Sequence, residues 1–268
     1  MLRRPCVAGQ FYPARAAGLE KEVLGFLAAG AGKKTRAMAV IAPHAGYVYS
    51  GHVAGAVYSA IEIPDDVILI GPNHTGLGED VSVMTEGEWE MPFGTMEINT
   101  GLAERIVASS TLFTPDTLAH AREHSLEVQL PFIHYLNAKA RIVPITVMRA
   151  DKKTSAALGT AIAGVIKGYE GDVLIAVSSD MNHYESDRMT RQKDQLAIAQ
   201  VLALDPDGLL DVTDENEITM CGALPTAVAL NAVKKLGATQ ARLVKYATSG
   251  EISGDLDHVV GYAGIVIK

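Results

Sequence analysis

The chain has 268 residues, of which 48% are hydrophobic and 20% charged, and its formal net charge is −8. A chain of this length buries roughly three quarters of the surface that it exposes when unfolded, so it can build a large core without disulfides. Cys6 and Cys221, its two cysteines, do not make a disulfide framework. The acidic charge argues against a nucleic-acid scaffold, which requires clustered Lys and Arg.

The first segment, "MLRRPCVAGQFYP", contains two arginines but no long apolar stretch behind them, so it does not resemble a signal peptide. Nowhere does the chain approach the run of about twenty uncharged apolar residues that a membrane-spanning helix requires. We therefore expect a cytoplasmic protein that does not enter a membrane.

Short apolar runs that end in Gly, Pro, Ser or Asn recur along the chain. Their apolar character is continuous rather than alternating, which is typical of strands buried on both faces of a sheet. These predicted strands, together with the apolar end of the chain, lie at 37–43, 67–73, 141–147, 172–179, 241–247 and 259–268.

Longer segments with helical spacing separate the runs, at 51–61, 100–110, 125–136, 154–169, 189–204 and 224–237. Because strands and helices alternate throughout, we predict one α/β domain over residues 1–268. Its architecture is a sandwich, with a central, mainly parallel mixed sheet and helices on both faces. Residues 80–99 break the rhythm, and their alternating pattern with Gly87 and Gly94 predicts an antiparallel hairpin inserted in the sheet.

Three histidines follow predicted strands: His44 and His74 come directly after theirs, and His183 comes a few residues after a third. Open α/β sheets bind ligands beyond the carboxyl ends of their strands, so each strand would deliver one imidazole to the same rim. A single loop histidine is more often merely solvated, but three in equivalent positions favour a shared site.

The segment "SSDMNHY" places Asp180 three residues before His183. A carboxylate in this position can fix the tautomer of the imidazole, or it can cap the helix that follows. In "EHSLEVQLPF", His124 and Glu127 share one face of a predicted helix, and we predict that both line the pocket or support its lining. Glu123 and Gln129 are expected to point elsewhere. A solvated acidic helix start explains this segment equally well.

The segment "ITMCGALPTA" places Cys221 where a helix is predicted to begin, with Pro225 in its first turn. The helix dipole and the free N–H groups at such a position favour a thiolate, which attacks carbonyls and binds metals. A buried, inert cysteine is the alternative. No CxxC pair accompanies this residue, so a structural zinc site is excluded.

Six motifs, "AGQFYP", "APHAGYVYSG", "GPNH", "EHSLEVQLPF", "SSDMNHY" and "CGALP", follow one another along almost the whole chain. In this order they resemble the Memo protein family, the B-type protein of AmmeMemoRadiSam systems. That family is similar in fold to the class III extradiol (LigB-type) dioxygenases. The resemblance implies a LigB-like, phosphorylase-like α/β sandwich.

The resemblance also implies a metal site. His44 and His74 match the two metal-binding histidines, and Cys221 stands where the dioxygenases have a carboxylate. Asp180 and His183 match the polar, catalytic residues of the same pocket, and the resemblance also places two aromatic residues, Phe11 and Tyr47, in its lining. The implied cofactor is one iron or copper ion, with zinc as a further candidate; no nucleotide cofactor is evident. A thiolate ligand is softer than a carboxylate and shifts the metal preference from Fe(II) towards copper, zinc or thiolate-tuned iron.

Three functions remain open at this point. The first is a metal-dependent redox enzyme in which His183, oriented by Asp180, serves as general acid and base. The second is a metal-free enzyme whose Cys221 nucleophile is activated by His44 or His183. The third is a module that binds a small molecule or peptide without turnover. The resemblance further implies radical-SAM and AMME-domain proteins as pathway partners.

Overall fold

Strands and helices alternate along the chain in a computed structural model that describes residues 1–28, 30 and 33–268. The helices are α1 (Ala16–Ala28), α2 (Tyr47–Ser59), α3 (Thr100–Ser109), α4 (Leu130–Leu136), α5 (Lys152–Lys167), α6 (Asp187–Leu202), α7 (Pro206–Glu215), α8 (Ala223–Leu236) and α9 (Gly250–Ser253). The strands are β1 (Leu2–Arg3), β2 (Ala39–Ala42), β3 (Asp66–Pro72), β4 (Val81–Val83), β5 (Glu88–Met91), β6 (Gly94–Glu97), β7 (Thr114–Pro115), β8 (Arg141–Val147), β9 (Val173–Ser178), β10 (His183–Glu185), β11 (Ala241–Thr248) and β12 (Val259–Ile267).

The large sheet has a parallel centre and antiparallel margins. Strands β2, β9, β3 and β8 lie side by side in that order and run parallel. On one side β12 pairs antiparallel with β2, and on the other β4 pairs antiparallel with β8. All residues of β2 and β3 are buried, which explains their continuous apolar sequences. The predicted mixed sheet is confirmed.

Helices cover both faces of this sheet. Helices α5 and α8 pack on each other, and α8 contacts β2, β3, β8 and β9. Helices α1, α2 and α4 form a second group, in which α2 contacts β2, β11 and β12. The α/β sandwich predicted from the sequence is therefore present. Within the described residues, no helix is both long and apolar enough to cross a bilayer.

The hairpin predicted within residues 80–99 forms, but its position in the fold differs from the prediction. Strands β5 and β6 pair antiparallel and join β1 in a separate three-stranded sheet, whereas β4 enters the large sheet. In β5 only alternate residues, Trp89 and Met91, are buried. A strand with one apolar face covers a core from outside, and it is unsuited to the doubly covered centre of the large sheet.

Candidate metal centre

The carboxyl ends of three adjacent strands build one rim of the site. Strand β9 lies between β2 and β3. His44, Asp180 and His74 each lie two residues beyond the ends of β2, β9 and β3, respectively. Since the three strands are parallel, their ends meet at the same edge. The expectation that strand ends bring His44 and His74 together is confirmed.

Cys221 reaches this rim from the loop that precedes α8. The Gly222 N–H donates to Ser179 Oγ at 3.1 Å, which ties the loop to the end of β9. A Cβ atom on Gly222 would lie 2.7 Å from Ser178 O and would overlap the Ser179 side chain. Glycine therefore permits the close approach that brings Cys221 beside the histidines.

Three donor atoms converge at the rim. His44, His74 and Cys221 each offer one ligand atom, and these atoms all lie within 4.8 Å of one another. Cys221 Sγ is 3.3 Å from His44 Nε2, and the two imidazole centroids are 5.2 Å apart. Transition metals bind such ligands at about 2.0–2.3 Å, so small side-chain shifts suffice for all three to reach one ion.

Hydrogen bonding fixes which nitrogen of His44 faces the sulfur. Ser178 Oγ donates its single proton to Ser125 O at 2.6 Å and accepts from Gln129 Nε2 at 2.8 Å. His44 Nδ1 lies 2.8 Å from the same Ser178 oxygen, so Nδ1 must carry the proton and donate it. The lone pair of His44 Nε2 is therefore directed towards Cys221.

Glu123 performs the same task for His74. Its Oε1 accepts from His74 Nδ1 at 2.8 Å, and its Oε2 accepts the His74 backbone N–H at 2.5 Å. Burial raises the pKa of Glu123, but the hydrogen bonds and charge of His74 outweigh it and lower that pKa to about 2. In turn, burial lowers the pKa of His74, but Glu123 outweighs it and raises that pKa above the ordinary value. His74 Nε2 is left free for a ligand.

The segment 123–129 departs from the prediction because it is not helical at its start. Helical structure begins only with a 3-10 turn at Glu127–Gln129, so Glu123 and His124 lie in a loop. The His124 ring stacks on that of His74 at 4.7 Å and meets Phe11 edge-on at 4.8 Å. Glu123, expected to point away, is thus part of the site, and it is fully buried.

Glu127 is bonded to the N-terminal segment rather than to the metal centre. We call this group of residues the Glu127 cluster (Arg3, Cys6, Val7, Tyr12 and Glu127). Its carboxylate accepts hydrogen bonds from Arg3 Nη1 at 2.5 Å, from the N–H groups of Cys6 and Val7, and from Tyr12 OH at 2.7 Å. Arg3 and Glu127 are both buried. The Glu127 oxygens thus hold the N-terminal segment in place, and the prediction that Glu127 lines or supports the pocket stays a prediction.

Tyr47 is buried beneath the site and supports the residues that line it. Its hydroxyl donates to Val128 O at 2.6 Å, and its ring packs against Tyr12 and Phe132. The Tyr47 N–H donates to Phe11 O at 2.7 Å and so helps to place Phe11 near His124. Of the two predicted lining aromatics, Phe11 contacts a site residue and Tyr47 is a buried support.

Asp180 and His183 do not form the predicted hydrogen bond with each other. Asp180 Oδ1 accepts the His44 N–H at 2.7 Å and the Ala45 N–H at 3.3 Å. His183 opens β10, and its Nδ1 lies 2.8 Å from Thr219 O. The prediction that Asp180 orients His183 is therefore wrong. The Asp180 carboxylate binds the backbone of His44, and the Thr219 carbonyl holds the His183 ring.

Of the two alternatives for Cys221, a reactive thiolate and a buried, inert thiol, the metal-free protein favours the protonated thiol. Burial raises the pKa of this thiol well above its ordinary value, and the nearby charge of Asp180 raises it further. Gly222 caps α8, and the favourable end of the helix is too weak to compensate. A bound cation would supply the missing positive charge, since a thiol that coordinates a metal loses its proton.

The donor set fits a transition-metal ion. In both His44 and His74, Nδ1 forms a hydrogen bond and Nε2 is free, which is the usual arrangement of metal-binding histidines. Ligand atoms of His74, Glu123 and His124 also lie within 4.8 Å of one another. Both Glu123 oxygens, however, already accept N–H groups, so Glu123 is a partner of His74 rather than a ligand.

Fold and donor set together define an α/β protein with a two-histidine, one-cysteine site at the carboxyl ends of its parallel strands. The family model for Memo-like proteins matches residues 3–266, so the chain belongs to the Memo family. A "MEMO1 family protein" of Methanopyrus kandleri is 40% identical over 100% of this chain and 99% of its own length. Relatives of the same description from Pyrobaculum arsenaticum and Aquifex aeolicus are 42% and 41% identical, over 99% of this chain and 98% of their own lengths.

A solved structure shares the fold. The crystal structure of an uncharacterized protein from Escherichia coli K12 matches with a TM-score of 0.57. The match covers 85% of this chain and 99% of that protein, at 15% sequence identity. This likeness concerns the fold alone.

Proposed function

We propose that the protein holds one iron or copper ion through His44 Nε2, His74 Nε2 and Cys221 Sγ, and that it is a metal-dependent redox enzyme. One observation carries the proposal: Ser178 and Glu123 engage the Nδ1 atoms of the two imidazoles, so both Nε2 lone pairs remain for a shared ligand. Such outer partners fix the tautomer of metal-binding histidines and raise their basicity.

The choice of metal follows from the donor set. Two imidazoles and a thiolate are softer than the two-histidine, one-carboxylate triad of Fe(II) oxygenases. This softness favours copper, zinc or thiolate-tuned iron, and a redox role favours iron or copper. When bound by three protein ligands, such an ion supplies Lewis-acid and electron-transfer chemistry at its open positions.

The remaining residues have separate tasks in this proposal. Asp180 holds the backbone of His44 and sets a negative charge beside Cys221. His183 is close enough to His44 to influence its pKa, and we assign it the acid–base role because its Nε2 remains available. Phe11 packs against His124 and shields that side of the site from water.

Metal analysis of anaerobically purified protein tests the proposal. We expect about one iron or copper per chain, retained in a Cys6→Ser variant and lost in Cys221→Ser. Cys6 is the matched control, since it is the second free cysteine of the chain and lies in the Glu127 cluster. Unchanged metal content in Cys221→Ser rejects the ligand assignment, and a protein that binds zinc alone rejects the redox role.

A cysteine nucleophile is the second candidate, favoured by the 3.3 Å separation of Cys221 Sγ and His44 Nε2. The raised pKa of the thiol opposes it, because the nucleophile is the thiolate. Iodoacetamide kinetics discriminate between the candidates. We expect slow alkylation of metal-free Cys221 and full protection by bound metal; fast alkylation that chelators do not change would support the nucleophile.

We further propose that the pocket takes a small molecule or peptide, and that the protein works beside radical-SAM and AMME-domain proteins. The support for these partners is the family resemblance. Tagged protein should capture both partners from cells that encode all three, and a Cys221→Ser variant should capture them equally well. A peptide retained in the pocket without turnover would instead support a binding module.

A further inference from the structure

Among the cavities that the described residues form, two with charged rims lie away from the metal centre. The larger, of about 490 Å³, opens at the amino ends of the parallel strands, where Met38, Pro64 and Val173 line it. Charges of both signs surround it, and Arg36 pairs with Asp172 at 2.9 Å. Such a mixed rim selects no class of ligand.

The second cavity, of about 370 Å³, lies between α2 and β11, and the charged side chains at its rim are all positive. Its ionisable lining residues are Lys33, His52, Arg242 and Lys245, and no carboxylate lines it. Among the described residues, no carboxylate lies within 4 Å of the charged groups of Lys33, Arg242 and Lys245. Glu251, whose charge reaches His52, is paired with Arg191 at 2.8 Å. Unpaired cations thus converge on one cavity of a chain whose net charge is −8.

A β-bulge brings two of these cations to one face of β11. Arg242 lies opposite Val266 and Lys245 lies opposite Gly264, while Val244 is the additional residue of β11. Side chains alternate along a regular strand, so without the bulge Lys245 would face away from Arg242. Bulges commonly redirect a side chain in this way.

Small residues on α2 leave the volume open. His52 and Ala56 lie four residues apart on one side of α2, and Ala60 caps the end of this helix; all three line the cavity. A Cβ atom on Gly264 would overlap Val57, so glycine in β12 lets α2 lie close to the sheet. Helix and strand therefore form two fixed walls.

We propose that this cavity binds the phosphate group of a small anionic molecule. The Arg242 guanidinium can donate two parallel hydrogen bonds to phosphate oxygens, and Lys245 and Lys33 add charge at the rim. His52 lines the same cavity from α2 and therefore lies beside any bound phosphate. A concave site of this volume takes a small molecule, and the acidic chain as a whole repels nucleic acids and anionic membranes.

Calorimetry with inorganic pyrophosphate, run on chelator-treated protein, tests the proposal. We expect one pyrophosphate per chain, weaker binding at high salt, and a selective shift of the His52 ring resonances in NMR spectra. The double variant Arg242→Gln/Lys245→Gln should raise the Kd at least tenfold. Ala56→Leu should do the same, because it fills the cavity and changes no charge.

The control variant Lys234→Gln/Lys235→Gln removes the same charge from the exposed end of α8 and should leave the Kd within twofold. Equal weakening in this control would show unspecific attraction and overturn the proposal. Citrate bound as tightly as pyrophosphate would overturn the phosphate class, and absence of binding to the native chain would overturn the site itself.

Discussion

The metal centre and the Glu127 cluster each combine a cysteine with a buried carboxylate, and the segment 123–127 contributes to each. The two sites differ in how many of their lone pairs are free to bind a ligand. Glu127 accepts five hydrogen bonds from the N-terminal segment, so its oxygens are saturated. At the metal centre two imidazole lone pairs converge with a sulfur. Free lone pairs, rather than the density of polar residues, distinguish a binding site from a support.

The largest expected effect tests the supporting role of the Glu127 cluster. Glu127→Ala leaves the buried Arg3 guanidinium without its carboxylate, and the loss of one partner from such a pair costs about 3–5 kcal/mol of unfolding free energy. Urea denaturation of the metal-free chain measures this loss. Glu104→Ala, which removes an exposed glutamate from α3, should change stability by less than about 0.5 kcal/mol. A loss below about 1 kcal/mol in Glu127→Ala would contradict the comparison.

The second prediction concerns acid stability through Glu123. Its pKa is lowered from 4.5 to about 2 in the folded chain, so its contribution is complete above pH 4.5 and disappears as the pH falls towards 2. The shift corresponds to roughly 3 kcal/mol. His74 has the opposite sign: its raised pKa stabilises the fold below its ordinary value, and this contribution is lost as the pH rises through the folded pKa.

Urea titrations from pH 2 to 6 on the native chain and on Glu123→Gln measure the difference. The two curves should converge at the acid end, and Glu104→Gln should follow the native curve. Glu123→Gln should also weaken metal binding about 10- to 100-fold, because His74 loses its partner. Parallel curves over the whole range would show that Glu123 makes no such contribution.

The third prediction tests how Cys221 reaches the rim. Gly222→Ala forces the loop away from Ser178 and Ser179, which should cost about 1–3 kcal/mol of stability and weaken metal binding without removal of a ligand. Gly164→Ala is the matched control, since nothing lies near its Cβ in the exposed part of α5. Alanine there should stabilise the chain by about 0.5–1 kcal/mol. Native metal affinity in Gly222→Ala would disprove the close approach.

The sequence alone predicted the sheet and the strand-end position of His44 and His74, because continuous apolar runs locate buried strands and parallel strands align their carboxyl ends. Cys221 needed the family resemblance. A cysteine at a helix start is recognisable in sequence, but its distance from two histidines on other segments is not.

The failures share one cause, which is that hydrogen-bond partners far apart in sequence decide the role of a carboxylate. Glu127 meets Arg3 across 124 positions, and Glu123 meets His74 across 49. Local spacing instead suggested a helix face that does not exist. Similarly, Asp180 is three residues from His183 yet bonds to His44, 136 positions away.

The smallest expected effect separates ligands from neighbours at the metal centre. His183 has its Nδ1 near Thr219 O and is outside the group of three converging donors. His183→Gln should therefore leave metal affinity within about threefold and stability within about 1 kcal/mol, because it removes no ligand and no buried charge. Competition with a chromophoric chelator measures the affinity. A loss of metal affinity as large as that of Cys221→Ser would show that His183 is itself a ligand. The metal centre would then have four protein donors rather than three.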